Sequence, residues 1–280
     1  MIEGVKSILI AITKEFGPEE SYTALGYGLT LAQAAGAHAT VQAASVRLVL
    51  PNAFVSKYVG VAVEAENRRL DRFAHEVADE AQRSAAVAGV ICSAQAPHLP
   101  YSDLLDAFTT QARLQDLTIL DAEAEALTLD RGLMQTLLIE SGRPVLVVPP
   151  DRNTFSARRI LLAWDGSAKA ARAANDALPL LRSAEEVEVA AVVGEKELRG
   201  SVDGSDLAPH LARHGVKVSV NCMAAMDGDV AETLRQRAVQ GGADMIVMGG
   251  YVHSPLREMV FGGVTHSLLQ ACPVPLFMSY

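Results

Sequence analysis

The sequence predicts an α/β fold built twice: two tandem, doubly wound units, each a parallel sheet with helices on both faces. Three observations carry this. The first is an internal repeat. Ser7-Ile8-Leu9-Ile10-Ala11-Ile12-Thr13 matches Arg159-Ile160-Leu161-Leu162-Ala163-Trp164-Asp165 at an offset of 152. Arg143-Pro144-Val145-Leu146-Val147-Val148 matches Cys272-Pro273-Val274-Pro275-Leu276-Phe277 at an offset of 129. The second is the alternation of strand and helix patterns within a copy. The third is that runs such as Ile160 to Trp164 are apolar throughout, as strands covered on both faces by helices must be.

The first copy is expected over residues 1–150 and the second over 151–280. The joint falls near Pro149-Pro150-Asp151-Arg152-Asn153, where consecutive prolines stop a strand and polar residues follow. The two offsets differ by 23, so the first copy carries about that many additional residues. Anchoring Gly89-Val90 on Gly215-Val216 places them upstream of Gly89, in an arm from Val46 to about Ala88. Leu50-Pro51-Asn52 signals a loop there. Leu70, Phe73, Ala74, Val77, Ala81 and Ala85 then recur at helical spacing. Glu64/Arg68 and Asp79/Arg83 are spaced as i,i+4 ion pairs on the outer face.

In the second copy the strand Ile160 to Trp164 leads through Asp165-Gly166-Ser167 into an Ala-rich helix from Ala168 to about Leu181, with Ser167 as its N-cap. A strand (Val187 to Val193) and a variable stretch with Gly200, Gly204 and Pro209 follow. Next come a strand (Val216 to Val220), a helix (Val230 to Val239) and a strand (Met245 to Met248). A Gly-rich turn, a helix from Gly263 to Gln270 and a last strand (Val274 to Met278) complete the copy.

Composition narrows the function classes. With 280 residues, half of them hydrophobic, each copy can bury a core without metals or disulfides. A net charge of −9 argues against sequence-independent binding to nucleic acid or to an anionic membrane surface, where Lys and Arg supply the affinity. No window approaches the roughly 20 apolar residues of a membrane span, and the first residues lack the features of a signal peptide. Cys92, Cys222 and Cys272 lie far apart with no CxxC pair, and read as buried or incidental thiols in a cytoplasmic protein.

Ligands of such sheets bind beyond the carboxyl ends of the strands, where helix N-termini favour anions. The candidate is the turn after Met248, Gly249-Gly250-Tyr251-Val252-His253-Ser254-Pro255-Leu256-Arg257-Glu258-Met259-Val260-Phe261-Gly262-Gly263-Val264-Thr265. Gly249 and Gly250 would permit positive φ and a close backbone approach, and Gly262-Gly263 would open the next helix with free N–H groups. The alternative, that these glycines only make turns, stays open. No catalytic set accompanies them: His253-Ser254 has no orienting acid and no G-x-S-x-G elbow. His210 and His214 share i,i+4 spacing, but Pro209 and the lack of a third ligand nearby favour a surface pair over a metal site.

On Ile160 to Ser167, the turn just quoted and Pro273-Val274-Pro275, the chain resembles the universal stress protein family, as two tandem copies. The resemblance implies adenine nucleotide alpha hydrolase-like, flavodoxin-type layering, with five-stranded parallel sheets of order 3-2-1-4-5. It also implies pairing through the last strands, so that a tandem chain is a dimer made covalent, an intramolecular pseudo-dimer that could pair again as a homo-dimer. ATP-binding members carry Gly, two residues, Gly, nine residues, then Gly followed by Ser or Thr. Laid on this chain, those positions are Gly249, Val252, Gly262 and Gly263. Val252 adds a branched side chain and Gly263 deletes a hydroxyl, with Thr265 two residues on. By resemblance, Asp165, Val193, Met248, Gly249, Val252, Gly262, Gly263, Val264 and Thr265 would contact the nucleotide, with ATP the implied ligand, bound at most weakly.

In the first copy Thr13 stands for Asp165 and Asp121 for Gly249. Asp121-Ala122-Glu123-Ala124-Glu125 would set carboxylates beside a phosphate, a repulsion that leaves this copy without a nucleotide site. The expected role is a stress-response protein with one weak nucleotide site and no catalysis beyond slow ATP hydrolysis. The alternative is a ligand-free interaction module for a protein partner.

Overall fold

The structure is a computed structural model that describes residues 2–14, 22–50, 57–122, 129–193, 204–250, 252–253, 260–261 and 263–280. In chain order the first half has β1 (Ser7–Lys14), α1 (Thr23–Ala35), β2 (His38–Val46) and α2 (Lys57–Ala88), then β3 (Cys92–Gln95), β4 (His98–Leu99) and α3 (Tyr101–Ala112). It closes with β5 (Leu117–Asp121), α4 (Leu129–Glu140) and β6 (Val145–Val148). The second half runs β7 (Arg159–Trp164), α5 (Ala168–Asp176), α6 (Leu178–Ser183), β8 (Glu186–Val193), α7 (Leu207–Arg213) and β9 (Val218–Ala224). After these come α8 (Val230–Gly241), β10 (Met245–Gly249), the short pair β11 (Val252–His253) and β12 (Val260–Phe261), α9 (Gly263–Gln270) and β13 (Leu276–Ser279).

Instead of two five-stranded sheets there is one eleven-stranded sheet, ordered β3-β2-β1-β5-β6-β13-β10-β7-β8-β9, with β4 paired beside β2. All neighbours on this path are parallel except β6 and β13, which run antiparallel with Leu276 opposite Val147 and Met278 opposite Val145. An antiparallel junction between two parallel half-sheets is what a two-fold relation between the copies requires. Within each half the first strand lies centrally and the chain winds outward on both sides of it.

Two cores cover the two faces. Ile8, Ile10 and Ile12 of β1 point into one core, shared with α1, α2, α5, α6 and α7. Leu9 and Ala11 point into the other, shared with α3, α4, α8 and α9. Both cores run across the junction, so the halves are not separately packed. The joint is ordered too: Tyr27 and Phe155 stack edge-to-face at 5.6 Å, and the Phe155 N–H donates to Thr30 Oγ1 at 2.8 Å. A Cβ on Gly26 would stand 2.8 Å from the Asn153 carbonyl oxygen, so glycine lets the joint lie against α1.

Local chemistry accounts for the departures from expectation. The helix expected from Ala168 to Leu181 is two, α5 and α6, because Pro179 cannot donate to the turn before it and occupies the first turn of a new helix. The variable stretch holds α7, whose Pro209 sits in the first turn, where no N–H is needed. The third strand of the second half is displaced to Val218–Ala224, and the last one starts only at Leu276, after Pro275. The arm's helix runs the full 32 residues of α2; Leu70, Ala74, Val77, Ala81 and Ala85 are buried as the spacing predicts, and Phe73 only partly so. Its arginine–glutamate ion pairs take i,i+3 spacing instead: Arg83 pairs with Glu80 at 2.9 Å and Arg69 with Glu66 at 2.6 Å. Cys92 and Cys272 are half-buried, while Cys222 is exposed on the edge strand β9.

One device recurs in both halves. Asp116 Oδ2, just before β5, accepts from the N–H groups of Lys6 (2.7 Å) and Ser7 (3.0 Å) at the start of β1. Asp244 Oδ2, just before β10, accepts from Arg158 (2.8 Å) and Arg159 (2.9 Å) at the start of β7. Each carboxylate thus fixes the register of two neighbouring strands. Asp116→Ala and Asp244→Ala are each expected to cost about 1–2 kcal/mol, read as a lower midpoint in urea unfolding.

A charged cluster ties α8 to the outer strands. Glu188 of β8 accepts from Arg237 Nε at 2.6 Å and from Asn221 Nδ2 of β9 at 2.9 Å. Burial alone would raise its pKa, but the hydrogen bonds from Arg237 and Asn221 and the Arg237 charge outweigh it and hold the carboxyl below its ordinary 4.5. A depressed carboxylate contributes stability that is present above the unfolded value and lost as pH falls through the folded one. Unfolding stability should therefore drop below about pH 4.5, and Glu188→Gln should reduce that part of the drop in denaturation curves taken across pH 3–7, about the range in which carboxyls titrate.

Candidate functional site

The strand order fixes where a ligand cleft can form. In each half the chain reverses direction of winding between the first and fourth parallel strands, β1 and β5 or β7 and β10. The helices that follow them go to opposite faces, leaving a crevice beyond the strands' carboxyl ends.

In the second half, β7 delivers Asp165 to that end. Asp165 is exposed, and its Oδ1 accepts from the Ser167 N–H at 3.0 Å across Gly166, which has φ +72°. Ser167 caps α5 as expected, its Oγ accepting from the Ala170 N–H at 3.1 Å. Val193 ends β8 half-exposed, near the same rim. Asp165 and Val193 thus lie open to a ligand at the ends of adjacent strands. Met248 is buried within β10, and Gly249 is its last residue. Gly263 starts α9 exposed, followed by Val264 and the buried Thr265. Val252 belongs to β11, paired with Phe261. Gly262, Tyr251 and residues 254–259 lie outside the described residues.

Gly249 and Gly250 depart from expectation. Neither has a positive φ. Both lie in close approach to the protein itself, Gly249 to backbone and Gly250 to the end of a side chain. A Cβ on Gly249 would stand 2.7 Å from the backbone nitrogen of Ala170, inside the first turn of α5. A Cβ on Gly250 would stand 2.6 Å from Leu138 of α4, across the junction between halves. Gly263 differs, because a Cβ there would meet nothing within 4 Å among the described residues. Beside Gly249, the Lys169 ammonium lies 3.7 Å from the Tyr280 ring centroid, a cation–π contact that the sequence does not signal.

The first-half crevice is built differently. Asp121 ends β5 where Gly249 ends β10, and its Oδ1 accepts from the Ala24 N–H of α1 at 2.7 Å. Tyr22, the residue that precedes α1, offers no side-chain cap, so Asp121 supplies the acceptor from across the crevice. A carboxylate of the protein thus occupies the helix N-terminus that a bound anion would use. Glu123 and Glu125, expected to add charge here, lie outside the described residues.

A groove of about 500 Å³ lies elsewhere, between α8 and the turn before β13, lined by Glu232, Arg235, Val239 and Cys272 among others. It shares no residue with the crevice. Burial pushes the Cys272 thiol up to about 11, so it is protonated and inert at neutral pH. Among the described residues no helix is long and apolar enough to cross a membrane, and no cluster of three metal-ligating side chains forms.

Residues 156–279 match the family model described as the universal stress protein family. That match spans the second half of the chain. The same fold extends over the first half. A universal stress protein from Archaeoglobus fulgidus DSM 4304 matches 97% of this chain and 97% of its own, with 17% identity and a TM-score of 0.67. A protein of unknown function from Pseudomonas aeruginosa PAO1 matches 99% of this chain and 93% of its own, with 14% identity and a TM-score of 0.60. At these identities the likeness is one of fold. A universal stress protein solved in complex with cAMP covers 45% of this chain, with 13% identity and a TM-score of 0.35, too partial a match to bear on the site. Among curated proteins, none matches the chain.

The two kinds of glycine separate by stability. Gly249→Ala should destabilise by about 1–3 kcal/mol through overpacking against the α5 backbone. Gly263→Ala should be neutral or stabilising by up to about 1 kcal/mol, since the site is open and alanine favours helix. Thermal melts of the two variants check both.

Proposed function

We propose that this chain is a tandem universal stress protein of the stress response, with a single, weak adenine-nucleotide site in its second half. The observation that carries the reading is the asymmetry between the two crevices. In the first, the Asp121 carboxylate bonds the N-terminus of α1; in the second, the corresponding Gly249 brings no side chain and no charge. Placing a triphosphate beside Asp121 would set like charges against each other in a partly desolvated crevice. The second crevice carries no such penalty. Asp165 and Val193 are open at its rim for the adenosine, and the Gly263-Val264-Thr265 turn of α9 would face the phosphates. Val252 and Gly263, where a small residue and a hydroxyl would strengthen binding, keep the affinity low. No two of Cys92, Cys222 and Cys272 are joined in a disulfide, in keeping with a cytoplasmic location.

A second reading is favoured by the packing of Gly249 and Gly250. Because backbone contacts already account for Gly249, the turn could serve the fold alone, and the protein could act as a ligand-free interaction module.

Denaturing freshly purified protein and separating the supernatant by chromatography, with ATP titration calorimetry alongside, decides between them. The proposed site predicts no more than one nucleotide per chain, or calorimetric heat that Val252→Gly with Gly263→Ser strengthens and Asp165→Ala abolishes. No nucleotide and no heat from either the parent or the Val252→Gly, Gly263→Ser variant would leave the interaction module.

A further inference from the structure

The helix α2 shows two faces. Its inner stripe, Leu70, Ala74, Val77, Ala81 and Ala85, is buried against the sheet. Its outer stripe is exposed and changes character along the helix, which is about 48 Å long at 1.5 Å per residue. Tyr58, Val61, Ala62 and Ala65 come first, then Arg68, Arg69 and Arg72, then Glu76, Asp79 and Glu80, then Arg83, and last Ala86 and Val87. The order is apolar, basic, acidic, apolar, interrupted by Arg83, which is held by Glu80 of its own helix. At its two ends large side chains stand in water: Tyr58 is 88% and Val61 58% exposed, Val87 91% and, just past the helix, Ile91 76%. Between them Arg68, Arg72, Glu76 and Asp79 enter no ion pair among the described residues, whereas the neighbouring Arg69 and Arg83 do.

Such a stripe is its own complement when reversed. A two-fold axis beside Ala74 lays α2 antiparallel on α2 of a second copy. In that register Arg72 meets Glu76 of the second copy, Arg68 and Arg69 meet its Asp79 and Glu80, Ala62 meets its Ala86, and Ala65 lies under the aliphatic stem of its Arg83, whose guanidinium stays with Glu80. Val61 meets its Val87, and Tyr58 reaches its Ile91. The same operation repeats every contact with the roles exchanged, as an isologous interface must. One register thus sets the unpaired Arg68, Arg72, Glu76 and Asp79 each against an opposite charge and covers the exposed apolar ends at both extremities. We propose that the chain forms a homodimer through this outward face of α2, with the halves of each chain already joined at β6 and β13. The inference does not depend on nucleotide binding.

Sedimentation velocity on the full chain tests it. A dimer is expected, loosened by salt because exposed charges are screened. Arg72→Glu and Glu76→Arg should each weaken it by about tenfold or more through like-charge contacts across the axis. The double variant Arg72→Glu with Glu76→Arg should restore the dimer, because it re-forms both pairs with their signs exchanged. Val61→Asp, at an exposed position, should dissociate it while leaving circular dichroism and the melting temperature of the monomer unchanged. A parent that sediments as a monomer at about 100 µM, more than tenfold above a typical transient Kd, would overturn the proposal. So would a dimer indifferent to both Arg72→Glu and Val61→Asp, or a double variant that fails to restore association.

Discussion

The architecture depends on four residues of β6 meeting the last strand. Val145 to Val148 are buried, and so are Leu276 to Met278 opposite them. Without this pairing each half-sheet would end on a bare apolar edge beside its central strands, a template for wrong partners. With it, one sheet spans the chain and both cores become continuous across the junction. The contacts of Gly26 with Asn153, of Gly250 with Leu138, and of the Arg172 guanidinium with the Gly142 carbonyl at 3.2 Å all sit around this seam. They are affordable in sequence terms only because the seam has already set the distance between the halves.

Duplication then allowed the two crevices to diverge. The clamps at Asp116 and Asp244 are equivalent, since both hold the first strand to the fourth and neither half can do without that register. The positions at the other end of the same strands are not equivalent. Asp121 reaches over to α1, while Gly249 lets α5 approach until its own Cβ would collide. One residue at the switch point therefore decides whether a helix N-terminus is answered from within or left to its own cap, Ser167.

Much of this was legible in the sequence, for physical reasons. A buried parallel strand has to be apolar on both faces, so Ile160 to Trp164 could be recognised without any partner. Gly89 and Gly215, aligned as an anchor between copies, both adopt positive φ after a helix, at +68° and +82°, a requirement that composition records. Ser167 and the buried stripe of α2 follow from local rules of the same kind. What could not be read are the relations between distant segments. Nothing near Asp116 announces that its carboxylate will bond Lys6, and nothing near Gly249 distinguishes a glycine that admits a ligand from one that admits a helix. The ion pairs of α2 likewise depend on rotamers, so Arg83 turns to Glu80 although Asp79 stands at an equally suitable spacing.

The seam also imposes an order on how the chain can be made. The strand that covers β6 is β13, which leaves the ribosome about 130 residues later, on the order of ten seconds at ordinary rates of synthesis. Through that interval the first half must hold together with β6 uncovered on one side. A nascent chain in this state meets other nascent chains from the same messenger, all displaying the same apolar edge.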